Sequence, residues 1–367
     1  MKNVKFRPLA AVACCAALII GLVMFFARPA HLVGIGEPPL DDETHIAAPQ
    51  APPIVPLLPD IAGEQPFLPH YEDYNADIYT SPEPEAQPVA AALAPPAPTY
   101  LAALERSLDW LRESNPHPQT GSVGGEWSAI ALARAGVRDD IWKERYLASL
   151  DLALAGQGEG RRQVLDYARI ILALTALGLD ASDHNGRDLT APVREFAAGR
   201  QGLSPSVNAE IFALIALDSR PYEGSRTELI AAILASQASS GGWGLGGGTS
   251  PDITAMAIQA LSPYYDANAD VRAAIGRALE LFAAAGSLRD AEANAQAIVA
   301  FTALGRDAGP YVEALLTFQD TASGAFTRGG RSDMMATEQA AAALAAYHRF
   351  MTGQNRLYDM SDTLGGR

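Results

Sequence analysis

From residue 100 onward, apolar positions recur at three- and four-residue spacing, and two kinds of stretch alternate. The first kind keeps a polar face and covers 100–114, 141–155, 190–198, 228–237, 269–285 and 311–319. The second is apolar almost all round and covers 129–135, 168–177, 211–217, 253–261, 295–304 and 337–347. A helix without a polar face has to be covered on every side. The second kind is therefore expected to form an inner layer and the first an outer one. Ahead of residue 100 the pattern changes twice. Residues 9–27 form an uncharged apolar run, close to the roughly 20 residues that a membrane-crossing helix needs. Residues 28–98 show no apolar periodicity.

The alternating region is repetitive. Its inner stretches close on Leu177, Leu217, Leu261 and Leu304, spaced 40 to 44 residues apart, and Gly178 and Gly305 follow as helix terminators. Periods near 40 residues indicate stacked helix pairs. Six pairs with all-round apolar inner helices suit a closed double ring better than an open solenoid. The expected fold is all-α, an α6/α6 toroid over residues 100–363. The unit is clearest at 237–261, where a helix ends, a glycine-rich turn carries Trp243, and a new helix begins. Ser250 stands at the cap position, Pro251 has the backbone angle of a first helical residue, and Asp252 faces the positive end of the helix dipole.

Charge divides the chain further. Residues 1–8 carry Lys2, Lys5 and Arg7 and no acid. With the apolar run behind them, the positive-inside rule places the N-terminus in the cytoplasm and everything after Arg28 outside. An uncleaved signal anchor is favoured over a cleaved signal peptide because Phe25-Phe26-Ala27 lacks the small residue a cleavage site requires. Residues 28–98 hold 16 of the 25 prolines and 11 acids against the single Arg28. That composition predicts an extended, disordered spacer. The net charge of −15 argues against a nucleic-acid partner, since phosphate contacts need clustered Lys and Arg. Both cysteines, Cys14 and Cys15, lie in the apolar run, which leaves the helical region without disulfides, thiolate metal sites or a cysteine nucleophile. His117, His184 and His348 show no metal spacing. No cofactor and no metal are expected.

Gln237-x-x-x-Gly241-x-Trp243 resembles the QxxxGxW repeat motif of the terpenoid cyclases and protein prenyltransferases, and 319–326 (QDTASGAF) is a degenerate echo of it. The rhythm of AxxALGLD, PDITAMAIQALSPYY and MATEQAAAALAAYHRF is similar to bacterial surface proteins with prenyltransferase and squalene oxidase repeats. These in turn resemble the helical domain of the cobalamin carriers intrinsic factor and transcobalamin. The resemblance implies an α/α toroid in which Gln237, Gly241 and Trp243 are structural. The family's chemistry does not carry over. A class II cyclase needs DxDD, which is absent; the metal route uses DDxxD, and Asp139-Asp140 is followed by Lys143; zinc-dependent prenyl transfer needs a cysteine.

With no recognisable catalytic set, the expected site is the mouth of the ring, built from the starts of inner helices. That nominates Trp127, Tyr167, Asn208, Asp252, Thr254, Asn294, Gln296, Met335 and Glu338 as ligand-binding residues. The expected function is a membrane-tethered, extracytoplasmic ligand-binding or interaction module without catalysis. Its partner would be a small hydrophobic or corrinoid ligand, a glycan or an envelope protein. The alternative is an enzyme acting on an isoprenoid or glycan, with converging acids drawn from Glu126, Asp166, Asp252, Glu292 and Glu338. A third possibility is a corrinoid half-site completed by a partner.

Overall fold

The computed structural model describes residues 97–156, 163–199, 207–286 and 288–365. The expected anchor at 9–27 and all but the end of the expected spacer lie outside them. Among the described residues no helix is long and apolar enough to cross a membrane.

The described chain is mostly helical, with almost no strand. Its odd-numbered helices are α1 (Ala97–Ser114), α3 (Asp140–Gly156), α5 (Ala191–Ala197), α7 (Thr227–Ala235), α9 (Ala269–Ala285) and α11 (Gly309–Leu316). The even-numbered ones are α2 (Trp127–Arg134), α4 (Val164–Ala176), α6 (Asn208–Asp218), α8 (Pro251–Leu261), α10 (Ala291–Ala303) and α12 (Met334–Met351). A two-stranded antiparallel hairpin, β1 (Thr327–Arg328) with β2 (Arg331–Ser332), precedes α12.

Burial follows the two patterns read from the sequence. In α6 every residue from Ala209 to Leu217 is buried, whereas in α3 only Trp142, Tyr146 and Leu150 are, one per turn. The apolar-all-round helices accordingly touch one another. α2 packs on α4, α4 on α6, α6 on α8, α8 on α10, α10 on α12, and α12 on α2. Small side chains such as Ala297, Ala300, Ala340 and Ala343 are buried on α10 and α12, and helices separated by alanine can approach to the short end of the usual 8–10 Å.

The glutamine motif ties one polar-faced helix to the next. Gln237 Nε2 donates to the carbonyls of Gly241 (2.6 Å) and Ala274 (2.8 Å), and Arg277 donates to its Oε1. The degenerate copy repeats this arrangement: Gln319 Nε2 donates to Gly324 O (3.0 Å) and Ala103 O (2.8 Å), and Arg106 donates to its Oε1 at 2.9 Å. The extra residue in 319–326 is absorbed in the turn, and Phe326 takes the place of Trp243, both fully buried. Gly241 and Gly324 are required where they stand. Each has positive φ, and an added Cβ would meet the backbone of Arg277 or of Arg106. Gln237 thus joins α7 to α9, and Gln319 joins the end of α11 back to α1.

Ser250 occupies the cap position of α8 with extended backbone, but its side chain makes no capping bond; Pro251 is at the first turn as expected. The 3-10 turn at Leu245–Gly247 is closed by Ser250 N bonded to Trp243 O at 2.8 Å.

Candidate functional site

The starts of the even-numbered helices come together at one end. Ser128 Oγ, in the first turn of α2, and Gly124 N just before it donate to Glu338 Oε1 of α12 at 2.6 and 2.8 Å. Arg328, in the hairpin leading into α12, pairs with Glu292 at the start of α10. Trp127 reaches past α4 to stack obliquely on Phe212 of α6, with ring centroids 5.5 Å apart.

Acids dominate this end, as helix dipoles favour, but their environments differ. Glu126 is buried and well supplied with donors. It accepts from Thr120 Oγ1 (2.8 Å), Gly121 N (3.0 Å) and Tyr146 OH (3.3 Å), and burial still raises its pKa against those bonds. Glu292 is also raised by burial, with the Arg328 charge opposing. Two carboxyls are pushed much further. Asp252 rises to about 8 through burial and the nearby charges of Asp290 and Glu292. Glu338 also rises to about 8, through burial reinforced by Glu126 and opposed by Ser128 and Gly124. Asp252 Oδ1 and Glu338 Oε2 are buried without a hydrogen-bond partner among the described residues. A carboxyl with a pKa near 8 is mostly protonated at neutral pH and acts as a donor rather than an anion.

The nominated residues divide accordingly. Trp127, Asp252 and Glu338 stand at this acidic end. Thr254 and Asn294 hold local structure: Thr254 Oγ1 accepts from Trp243 N (2.9 Å), and Asn294 Nδ2 donates to Leu288 O (2.8 Å) and Asp290 O (2.7 Å). Tyr167 is buried in the first turn of α4, and Asn208 and Met335 are half-buried in the first turns of α6 and α12. Gln296 lies deeper, in a ladder that sequence reasoning missed. Gln259 of α8 donates to Gln296 Oε1 of α10 at 2.9 Å, and Gln296 donates to Gln339 of α12 at 3.2 Å. The signal was present: each is a lone amide in an apolar run, at nearly the repeat spacing.

The opposite end of the even-numbered helices is rich in arginine and carries cavities. One of about 420 Å³ is lined by the last turns of α6, α8 and α10 together with 356–361; one of about 830 Å³ lies by the ends of α2 and α4; and one of about 370 Å³ lies by the ends of α10 and α12. The segment after α12 runs across this end as a strap. Arg134, buried in the last turn of α2, binds Asp362 at 2.7 Å and donates to the carbonyls of Arg356 and Asp359, both at 3.0 Å. Arg349 also pairs with Asp362, and Met360 N donates to Ser219 O at 2.8 Å. Leu357 and Met360 are buried beneath the strap. The two arginines hold the Asp362 carboxyl below its ordinary value despite partial burial.

No group of three or more His, Cys, Asp or Glu among the described residues has a metal-binding arrangement. No protein-family model matches the chain, and no curated protein matches it.

Proposed function

We propose that residues 100–363 form an α6/α6 toroid and act as a non-catalytic ligand-binding or interaction module, tethered outside the membrane by residues 9–27. The cyclic order of contacts from α2 through α12 and back to α2 supports the closed ring, as does the return of Gln319 to α1. The observation that carries the binding reading is that Asp252 and Glu338, two acids whose pKa burial raises to about 8, each have an unpartnered oxygen among the described residues where the even-numbered helices begin. Neutral carboxyls offer donors, and six helix starts offer a positive dipole. Together they suit an acceptor-rich ligand such as a glycan fragment or the amide-fringed face of a corrinoid.

The same two acids favour one second reading. A carboxyl with its pKa raised into the neutral range is also how a general acid is prepared, so an enzyme acting on a glycan or isoprenoid is the alternative. Native mass spectrometry on the full chain, offered a corrinoid, a prenyl diphosphate and cell-wall glycan fragments in turn, tests both. Retention of an intact ligand, weakened in Asp252→Ala, is the expected result. Conversion of a glycan or diphosphate would replace binding by catalysis, and retention of none of the three would sink the small-ligand reading.

A further inference from the structure

The arginine-rich end holds a site that is independent of the acids just described. We propose that the cavity between the last turns of α6, α8 and α10 and the strap binds a small amphiphile with an oxyanion head, a carboxylate or a phosphate.

At about 420 Å³ the cavity has the size of a small-molecule site. Ile215, Ala260, Val299, Ala303 and Leu357 give it an apolar wall for a short hydrocarbon tail. Its charged groups are not balanced internally. Asp218 is answered by Arg226 at 3.0 Å and by the Tyr264 hydroxyl at 2.8 Å. Asp359 accepts from Ser361 Oγ at 2.7 Å. Against these two acids the lining carries three arginines, an excess of one positive charge. Arg356 lies near Asp218 and Arg220 near Asp180, with no salt bridge to either among the described residues. Arg220 is only 8% exposed, its Nε has no hydrogen-bond partner among the described residues, and its Nη2 reaches no closer than 3.4 Å to Thr363 Oγ1. Arg356 makes one side-chain bond, to Ser262 Oγ at 3.2 Å.

A buried donor without an acceptor destabilises the fold, and more so when it is charged. A guanidinium presents its donors in a fork that matches the two oxygens of a carboxylate or phosphate. The negative ends of three helices oppose an anion here, but last-turn carbonyls of each are already served, in α10 by Gly305 N donating to Thr302 O at 3.1 Å. Arg226 donates to Leu217 O, and the hydroxyls of Ser219 and Ser262 donate to Ala216 O and Gln259 O. An oxyanion beside Arg220 and Arg356 satisfies the remaining donors, while the wall between Ile215 and Val299 takes the tail.

The test uses the full chain held in amphipol and titrated calorimetrically with hexanoate, hexyl phosphate, hexanol and hexylamine. One or both anions bind, and the alcohol and amine bind at least tenfold more weakly. The ratio of hexanoate to hexyl phosphate tells which head is preferred. Arg220→Met and Arg356→Gln each weaken the anion at least tenfold, and Val299→Phe, which fills the apolar wall, abolishes binding of every probe. Arg356 lies in the strap rather than the core, so its variant separates lost recognition from lost folding, with circular dichroism as the control. Equal binding of hexanol, or indifference to both Arg356→Gln and Val299→Phe, overturns the proposal, as does the absence of binding by either anion.

Discussion

The two ends of the even-numbered helices have opposite chemistry. At the amino end, carboxyls face the positive dipole ends, and burial raises the pKa of two of them to about 8. At the carboxyl end, arginines meet the helix ends and clamp a strap that lines a cavity. The dipole explains the sign of each end. It does not explain why the carboxyls of Asp252 and Glu338 are raised while that of Asp362 is lowered. Burial and partners explain that: Asp252 and Glu338 are desolvated, with the charges of Asp290 and Glu292 or of Glu126 adding to the shift, whereas the partly exposed Asp362 meets two guanidinium groups. Location on a helix end sets which residue type is tolerated, and burial and neighbours set its pKa.

Four perturbations separate these causes. The largest effect is expected from Arg134→Ala, which leaves Asp362 with one partner and frees two strap carbonyls. Loss of a buried ion-pair partner costs about 3–5 kcal/mol, to be read as a drop in the denaturant midpoint with faster proteolysis after residue 352.

Next come the pH effects, whose signs differ between the ends. Glu338 binds its proton more tightly folded than unfolded, so stability falls as pH rises from 4.5 towards 8. A decline on the order of 2–5 kcal/mol is expected from Glu338 across that range; Asp252 adds a slope of the same sign, so Glu338→Gln should remove roughly half of the total and leave the rest. Asp362 behaves oppositely. Its stabilisation is complete above its unfolded value near 3.8 and is lost only as pH falls below that. Chemical denaturation from pH 3 to 9 on the unsubstituted chain, Glu338→Gln and Arg134→Ala checks the two slopes.

The smaller effects concern caps at the acidic end. Asp290 accepts from Ala293 N at 2.7 Å, so Asp290→Ala should cost about 1 kcal/mol and also draw the Asp252 pKa downward. Ser250 makes no such bond. Ser250→Ala should change the melting temperature by less than Asp290→Ala does, and an equal loss would show that a capping bond forms in solution.

The helices themselves were legible because burial imposes a period, and all twelve stretches are helical. Their edges were less so. α10 starts at Ala291 rather than 295 and α12 at Met334 rather than 337, since Asp290 and Asp333 cap the helices one turn earlier, at Ala293 N and Ala336 N. The glutamine ties were legible as a motif, but the Ala-x-x-Arg pairs that receive them, Ala274 with Arg277 and Ala103 with Arg106, were not. The acidic end was visible as acids preceding apolar runs. The arginine end was invisible because its key pair, Arg134 and Asp362, is joined only by tertiary packing.

The protonation of the amino end is the point on which the binding reading turns. Isotope-edited infrared titration of the carboxyl stretch, comparing the full chain with Asp252→Asn and Glu338→Gln, measures it directly. The account predicts two protonated carboxyl bands at pH 7, each removed by one substitution and each titrating near pH 8. Bands that vanish below pH 6 would contradict it, because an amino end of ionised acids would repel the acceptor-rich ligand the site is proposed to hold.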